Sequence, residues 1–82
     1  MTHVLVLYFA AAKEAAGCAS EKLALPDGST VATLLDDVVR RRPALARLSS
    51  ALRVAVDERF ATPDRVLETG DVVALLPPAS GG

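Results

Sequence analysis

One cysteine and one histidine are the whole stock of soft or nitrogen ligands in these 82 residues. A zinc site of three or four side chains from one chain is therefore excluded, and so is an internal disulfide. His3 stands beside the N-terminus, a poor place for the general base of a Ser-His-Asp or Cys-His-Asn constellation. Charge of one sign is missing too: nine Lys and Arg against ten Asp and Glu leave a formal net charge of -1. That balance excludes an electrostatic grip on nucleic acid. No apolar run reaches the length of a membrane span. The run from Val4 to Ala12 lacks a preceding Lys or Arg, so it reads as part of the core rather than a secretory signal, and the chain as cytoplasmic with no membrane contact. Asn, Gln, Ile and Trp are absent and Arg outnumbers Lys seven to two; no function follows from that bias.

What remains is one globular domain. Apolar residues make up 51% of the chain, although fifteen of them are Ala; that stock closes a single core and leaves nothing for a second. The segment from His3 to Ala10 is continuously apolar and carries Val, Tyr and Phe, which predicts a strand flanked by apolar surroundings on both faces. Ala11 to Ala16 is helix-forming and ends at Gly17, a natural cap. Cys18 to Leu25 offers a second strand, with Leu23 and Leu25 on one face and Lys22 and Ala24 on the other. Pro26-Asp27-Gly28 turns the chain.

The clearest element follows. Thr30 is a good N-cap, and Val31, Leu34, Leu35, Val38 and Val39 fall at helical spacing on one stripe, with Asp36, Asp37, Arg40 and Arg41 opposite. Pro43 ends that helix. Leu45 and Leu48 mark a short helical lid, Leu52 to Val56 a strand with Val54 and Val56 on one face, and Asp57-Glu58-Arg59 a turn leading to a brief return at Phe60-Ala61. Val66 and Leu67 are expected to plug the core. Thr69-Gly70-Asp71 turns into a last apolar strand, Val72 to Leu76, which Pro77-Pro78 terminates. This order predicts an α+β roll: a mixed sheet of about five strands with one main helix across one face. The body spans residues 1–76 and a flexible tail spans 77–82.

Conventional chemistry finds no home in this pattern. Adjacent Asp36 and Asp37 diverge by about 100° around a helix and share no substrate. Arg40, Arg41 and Arg42 complement the negative end of the helix dipole. Cys18 reads as a small filler, and Lys13 and Glu14 as surface residues, although a charge beside an apolar patch also suits the rim of an interface. The tail differs. Pro77-Pro78 stiffens its root, and Gly81 and Gly82 have no side chains, so they can pass down a narrow channel. Six extended residues reach roughly 20 Å. The Gly82 carboxylate at the end is open to an enzyme.

The closing string GDVVALLPPASGG, with the opening VLVLYFA followed by KE, resembles the MoaD/ThiS family of ubiquitin-like sulfur carriers, and within it the molybdopterin synthase small subunits. The resemblance covers the whole chain, and a PPxxGG end directly after a GD turn and an apolar strand is its specific part. It implies the β-grasp fold. It also implies a route: an E1-like enzyme uses ATP to adenylate Gly82, a sulfur donor converts the adenylate to a thiocarboxylate, and the tail delivers that sulfur to cyclic pyranopterin monophosphate in the large synthase subunit. A heterotetramer with that subunit is expected, with no cofactor bound by this chain, which alone is a cosubstrate rather than a catalyst. By position, the family's partner-facing surface falls on Phe9, Phe60 and Leu76, with Leu7 and Ala74 by strand parity, Lys13 at the rim, and Pro77 and Pro78 at the root of the Gly81-Gly82 arm. Lys13 stands where the family usually has Arg, and Asp57 where it usually has Asn. The alternatives are a carrier for thiamine or cysteine synthesis, a modifier conjugated to lysines, or an inert interaction module.

Overall fold

A computed structural model describes residues 1–78. Five strands, β1 (Thr2–Tyr8), β2 (Ser20–Leu25), β3 (Arg53–Val56), β4 (Arg59–Phe60) and β5 (Val72–Leu76), form one mixed sheet in the order β2-β1-β5-β3-β4. Helix α1 (Ala10–Ala16) follows β1, α2 (Val31–Arg41) follows β2, and a 3-10 helix covers Pro43–Arg47. The first and last strands are parallel neighbours at the centre, with Leu5 opposite Val72 and Leu7 opposite Ala74. The remaining pairings are antiparallel. The two most apolar strands thus take the two positions most enclosed by backbone, as a run without polar alternation requires.

The inner face of the sheet carries the core. Val6, Tyr8, Val73 and Leu75 meet Val31, Leu34 and Val38 of α2, and Leu45 of the 3-10 helix closes the cluster. Leu35 and Val39, at the edge of the same helical stripe, are half-buried against it. Thr30 caps α2 through its hydroxyl, which accepts from the Thr33 amide at 3.3 Å, supplying one of the bonds an open helix start lacks. Gly17 ends α1 at φ 78°, a left-handed conformation costly for any residue with a Cβ, and its amide donates to the Lys13 carbonyl at 2.9 Å.

Several local expectations need correction. Strand β3 begins at Arg53 rather than Leu52, and β4 covers Arg59–Phe60, so Arg59 lies in the strand rather than the turn and Ala61 follows it. Strand β1 ends at Tyr8, because Phe9 is already the N-cap of a helix that begins at Ala10. Strand β2 begins at Ser20, so Cys18 belongs to the connection after Gly17. Val66 does not plug the core: it is 54% exposed, whereas Leu67 is 2% exposed. The segment is extended there, with a bridge between Val66 and Thr30 and the Leu67 amide on the Ser29 carbonyl, so adjacent side chains point opposite ways. No helix among the described residues is long and apolar enough to cross a membrane.

Candidate docking face and tail root

The side of the sheet away from α2 carries the candidate site. Strand register sets its composition. Leu7 lies opposite Ala74, Ala74 opposite Ala55, and Ala55 opposite Phe60, so these four residues form one straight row across four strands. Bulky side chains stand at the two ends and methyl groups in the middle, which makes a shallow apolar trough. Leu7 and Ala74 are half-buried, Ala55 is 8% exposed and Phe60 is 68% exposed. An aromatic ring that open, at the end of an apolar row, has the makings of an anchor for another protein.

The next row begins the tail. Leu76, the last residue of β5, faces Arg53 of β3. The Arg53 guanidinium lies over the Phe60 ring, 5.2 Å from its centroid. Together with Ala51, Pro77 and Pro78, these three side chains line a hollow at the point where the chain leaves the sheet. Phe9 is 43% exposed, and its amide donates to the Leu75 carbonyl at 3.3 Å, which holds it beside β5. The Lys13 amide donates to the Phe9 carbonyl at 3.3 Å, so Lys13 stands one helical turn beyond Phe9, exposed.

Of the residues expected at the site, the structure unites Leu7, Ala74 and Phe60 in one row, and Leu76, Pro77 and Pro78 at the tail root beside it. Phe9 and Lys13 extend the surface along α1. Gly81 and Gly82 lie outside the described residues. Sequence reasoning missed Ala55 and Arg53. Parity along β3 placed them opposite Val54 and Val56, but their membership depends on the hairpin register that sets Ala55 against Phe60.

Ionic groups brace the body on the helix side of the sheet and at the entry to β5. Arg42 donates from Nη2 to Glu21 Oε2 at 2.7 Å and from Nε to Glu21 Oε1 at 3.0 Å, and it also donates to the Ala16 carbonyl. The Tyr8 hydroxyl donates to the same carboxylate. The Arg42 hydrogen bonds hold the Glu21 carboxyl below the usual range against the opposing effect of burial, while burial pushes the Tyr8 phenol up, helped by the Glu21 charge. At the entry to β5, burial works against the charge of Asp71, but the Glu68 amide at 2.8 Å and the Arg65 guanidinium at 3.0 Å keep its carboxyl below the ordinary value. The Asp57 carboxylate accepts from the Val72 amide at 2.9 Å and its own amide donates to the Val72 carbonyl at 2.9 Å, so the hairpin turn clips the start of β5.

Comparison with known proteins agrees with this geometry. The ThiS family matches residues 6–82. The molybdopterin synthase sulfur carrier subunit of Arabidopsis thaliana is 35% identical over 79 residues, covering 96% of this chain and 82% of the relative. Among solved structures, the putative molybdopterin converting factor subunit 1 of Pyrococcus furiosus superposes with a TM-score of 0.89 at 29% identity, covering 96% of this chain and all of the other (100%). The small archaeal modifier protein 1 of Haloferax volcanii superposes with a TM-score of 0.88 at 26% identity, over 96% of this chain and 100% of the other. The ubiquitin-like β-grasp roll expected from the sequence is the fold observed.

Proposed function

We propose that this chain, which belongs to the ThiS family, is the sulfur carrier of molybdenum cofactor biosynthesis and the small subunit of a molybdopterin synthase. Its folded body docks through the row from Leu7 to Phe60, and Gly82 carries the sulfur. The observation that carries this reading is the 35% identity, over 96% of this chain, to a molybdopterin synthase sulfur carrier subunit, together with a family match that runs to residue 82 and so includes the Pro77-Pro78 root and the Gly81-Gly82 arm. The apolar row supports it, since an exposed ring beside the tail root lets docking and delivery happen together.

The chemistry starts from a poor electrophile. The Gly82 carboxylate attacks the α-phosphate of ATP on an E1-like activating enzyme, forming the acyl adenylate and releasing pyrophosphate. A sulfur donor then displaces AMP and leaves a thiocarboxylate. That anionic, polarizable sulfur attacks cyclic pyranopterin monophosphate in the large synthase subunit, where the docked body holds it at high effective concentration. The large subunit supplies the substrate-binding groups, and two copies of each chain make the expected heterotetramer. This chain binds no cofactor of its own, since the activating enzyme uses the ATP. Activation draws on the cytoplasmic ATP pool, which gives the reading its location.

The test is intact mass after coexpression with the activating enzyme and sulfur donor. Replacing one terminal oxygen by sulfur adds about 16 Da, a gain set by the activation chemistry. Adding the large subunit and the pterin precursor should discharge it. A chain that never gains this mass, or gains it and never yields molybdopterin, contradicts the reading. One second reading has a specific observation behind it: the likeness to a small archaeal modifier protein. It predicts isopeptide-linked ladders on denaturing blots that vanish when Gly81-Gly82 is deleted.

A further inference from the structure

The proposed docking face carries a cation among apolar side chains. Leu7, Ala74, Ala55, Phe60 and Leu76 are apolar, yet Arg53 stands exposed among them, in register with Leu76. Its guanidinium carbon lies over Phe60, 5.2 Å from the ring centroid. Among the described residues it takes part in no ion pair. Arg40 and Arg41 pair with Asp37, Arg42 with Glu21, and Arg65 with Asp71, whereas Arg47 and Arg59 share with Arg53 the lack of an ion pair among the described residues. Of these three only Arg53 lies over the Phe60 ring and in register with Leu76.

We infer that Arg53 is a specificity-determining residue of this face, which accepts a partner protein only if that protein places a carboxylate side chain against the Arg53 guanidinium. The inference rests on the docking reading above and deepens it. The argument is one of charge complementarity. When a partner covers Phe60 and the hollow at Pro77-Pro78, the guanidinium above the ring loses its water. A cation desolvated without an anion is strongly unfavourable, so an apolar partner surface that fits the trough by shape alone is rejected. The ring quadrupole attracts the guanidinium without using its N–H donors, which make no side-chain hydrogen bond among the described residues. The N–H edges remain available, and a planar fork of donors matches a carboxylate through two parallel hydrogen bonds. Position adds the consequence for function. Adjacent strands are about 4.8 Å apart, so an ion pair at Arg53 fixes the partner one strand from Leu76, where the tail begins.

The experiment measures binding of the cognate large synthase subunit by titration calorimetry at several salt concentrations, using the full chain. Arg53→Leu, at an exposed position, should keep the circular dichroism spectrum and bind at least about 30-fold more weakly, the size typical of removing one member of a covered ion pair. Its affinity should also lose most of the salt dependence that the parent shows. Arg53→Glu should bind more weakly still. Binding of Arg53→Leu within about threefold of the parent, or a loss that leaves the salt dependence unchanged, overturns the inference. Leu7→Asp, at the far end of the row and away from Arg53, separates this from the docking reading. If Leu7→Asp abolishes binding and Arg53→Leu does not, the face is the interface and only the role of Arg53 fails. If Leu7→Asp, shown to be folded, binds like the parent, the docking face itself is wrong and the role of Arg53 falls with it.

Discussion

Arg42 and Glu21, twenty-one positions apart, meet in a two-pronged ion pair of 2.7 and 3.0 Å that joins the end of α2 to β2. Glu21 also accepts from the Tyr8 hydroxyl and Arg42 also donates to the Ala16 carbonyl, so β1, α1, β2 and α2 converge on one ion pair. Each of these groups would otherwise be a polar atom at the margin of the core, and each leaves a partner unsatisfied if removed.

Acid should therefore loosen the fold in a defined way. The folded-state pKa of Glu21 lies below its ordinary value of 4.5. The unfolded chain thus takes up the proton first as pH falls. The contribution of the pair is complete above the unfolded value and is lost as pH drops through 4.5 toward the lower folded value. Asp71, also held below its ordinary 3.8, adds a second loss at lower pH in the same direction. Glu21→Gln should lower stability at pH 7 by about 1 kcal/mol, a few degrees in Tm, and should flatten the decline between about pH 5 and 4. Thermal melts of both proteins across pH 3 to 7 check this. An unaltered acid limb in the variant would remove Glu21 from the account.

The second expectation concerns the lid. Leu45 is 0% exposed and belongs to a 3-10 helix of only five residues, so packing rather than helix propensity holds that segment. Leu45→Ala should cost about 3 kcal/mol, the usual cost of a buried Leu truncation with incomplete collapse. In urea, the midpoint should fall with little change in slope. A loss under about 1 kcal/mol would mean the 3-10 helix repacks freely and contributes little to the core.

Local rules carried the sequence reading a long way. The cap at Thr30, the spacing from Val31 to Val39 and the stop at Pro43 are all present within fourteen consecutive residues, so α2 is legible without its partners. Strand parity likewise assigned Leu7 and Ala74 to one face and Val73 and Leu75 to the other. Pairings between distant segments were not legible. Nothing in β5 alone says that it lies parallel to β1, and Ala55 joins the apolar row only through two registers at once. Arg42 shows the same limit from the electrostatic side. It shares a run with Arg40 and Arg41, which do interact within α2 through Asp37, yet its own partner lies on β2. Val66 was misplaced because an apolar pair in an extended segment can bury only one of its members on one face.

The hairpin between β3 and β4 offers a stabilising change. Its two turn residues, Asp57 and Glu58, both have positive φ, 50° and 71°. That conformation suits the right-handed twist of a hairpin but is unfavourable for side chains with a Cβ. Asp57 is compensated by its bonds to Val72, whereas Glu58 has an exposed side chain with no such compensation among the described contacts. Glu58→Gly should raise stability by about 1 kcal/mol, the approximate penalty for a left-handed residue, measured by chemical denaturation. A destabilised variant would show that unfolded-state entropy outweighs the relief of strain.

Phe60 links the hairpin to the proposed docking. It is 68% exposed, so its ring contributes little to the folded core, and in the proposed complex the partner would cover it. Phe60→Ala should leave the thermal midpoint within about 2 °C of the parent, as expected for a surface truncation. Binding to the large synthase subunit should weaken by at least about 30-fold, the lower bound of an aromatic hot spot. The thiocarboxylate mass gain should persist if activation uses a different surface, because the Gly82 chemistry does not involve the ring. Loss of binding with activation retained would separate docking from sulfur loading in a single variant. Tight binding without the ring would mean that the trough between Leu7 and Phe60 is not where the partner sits.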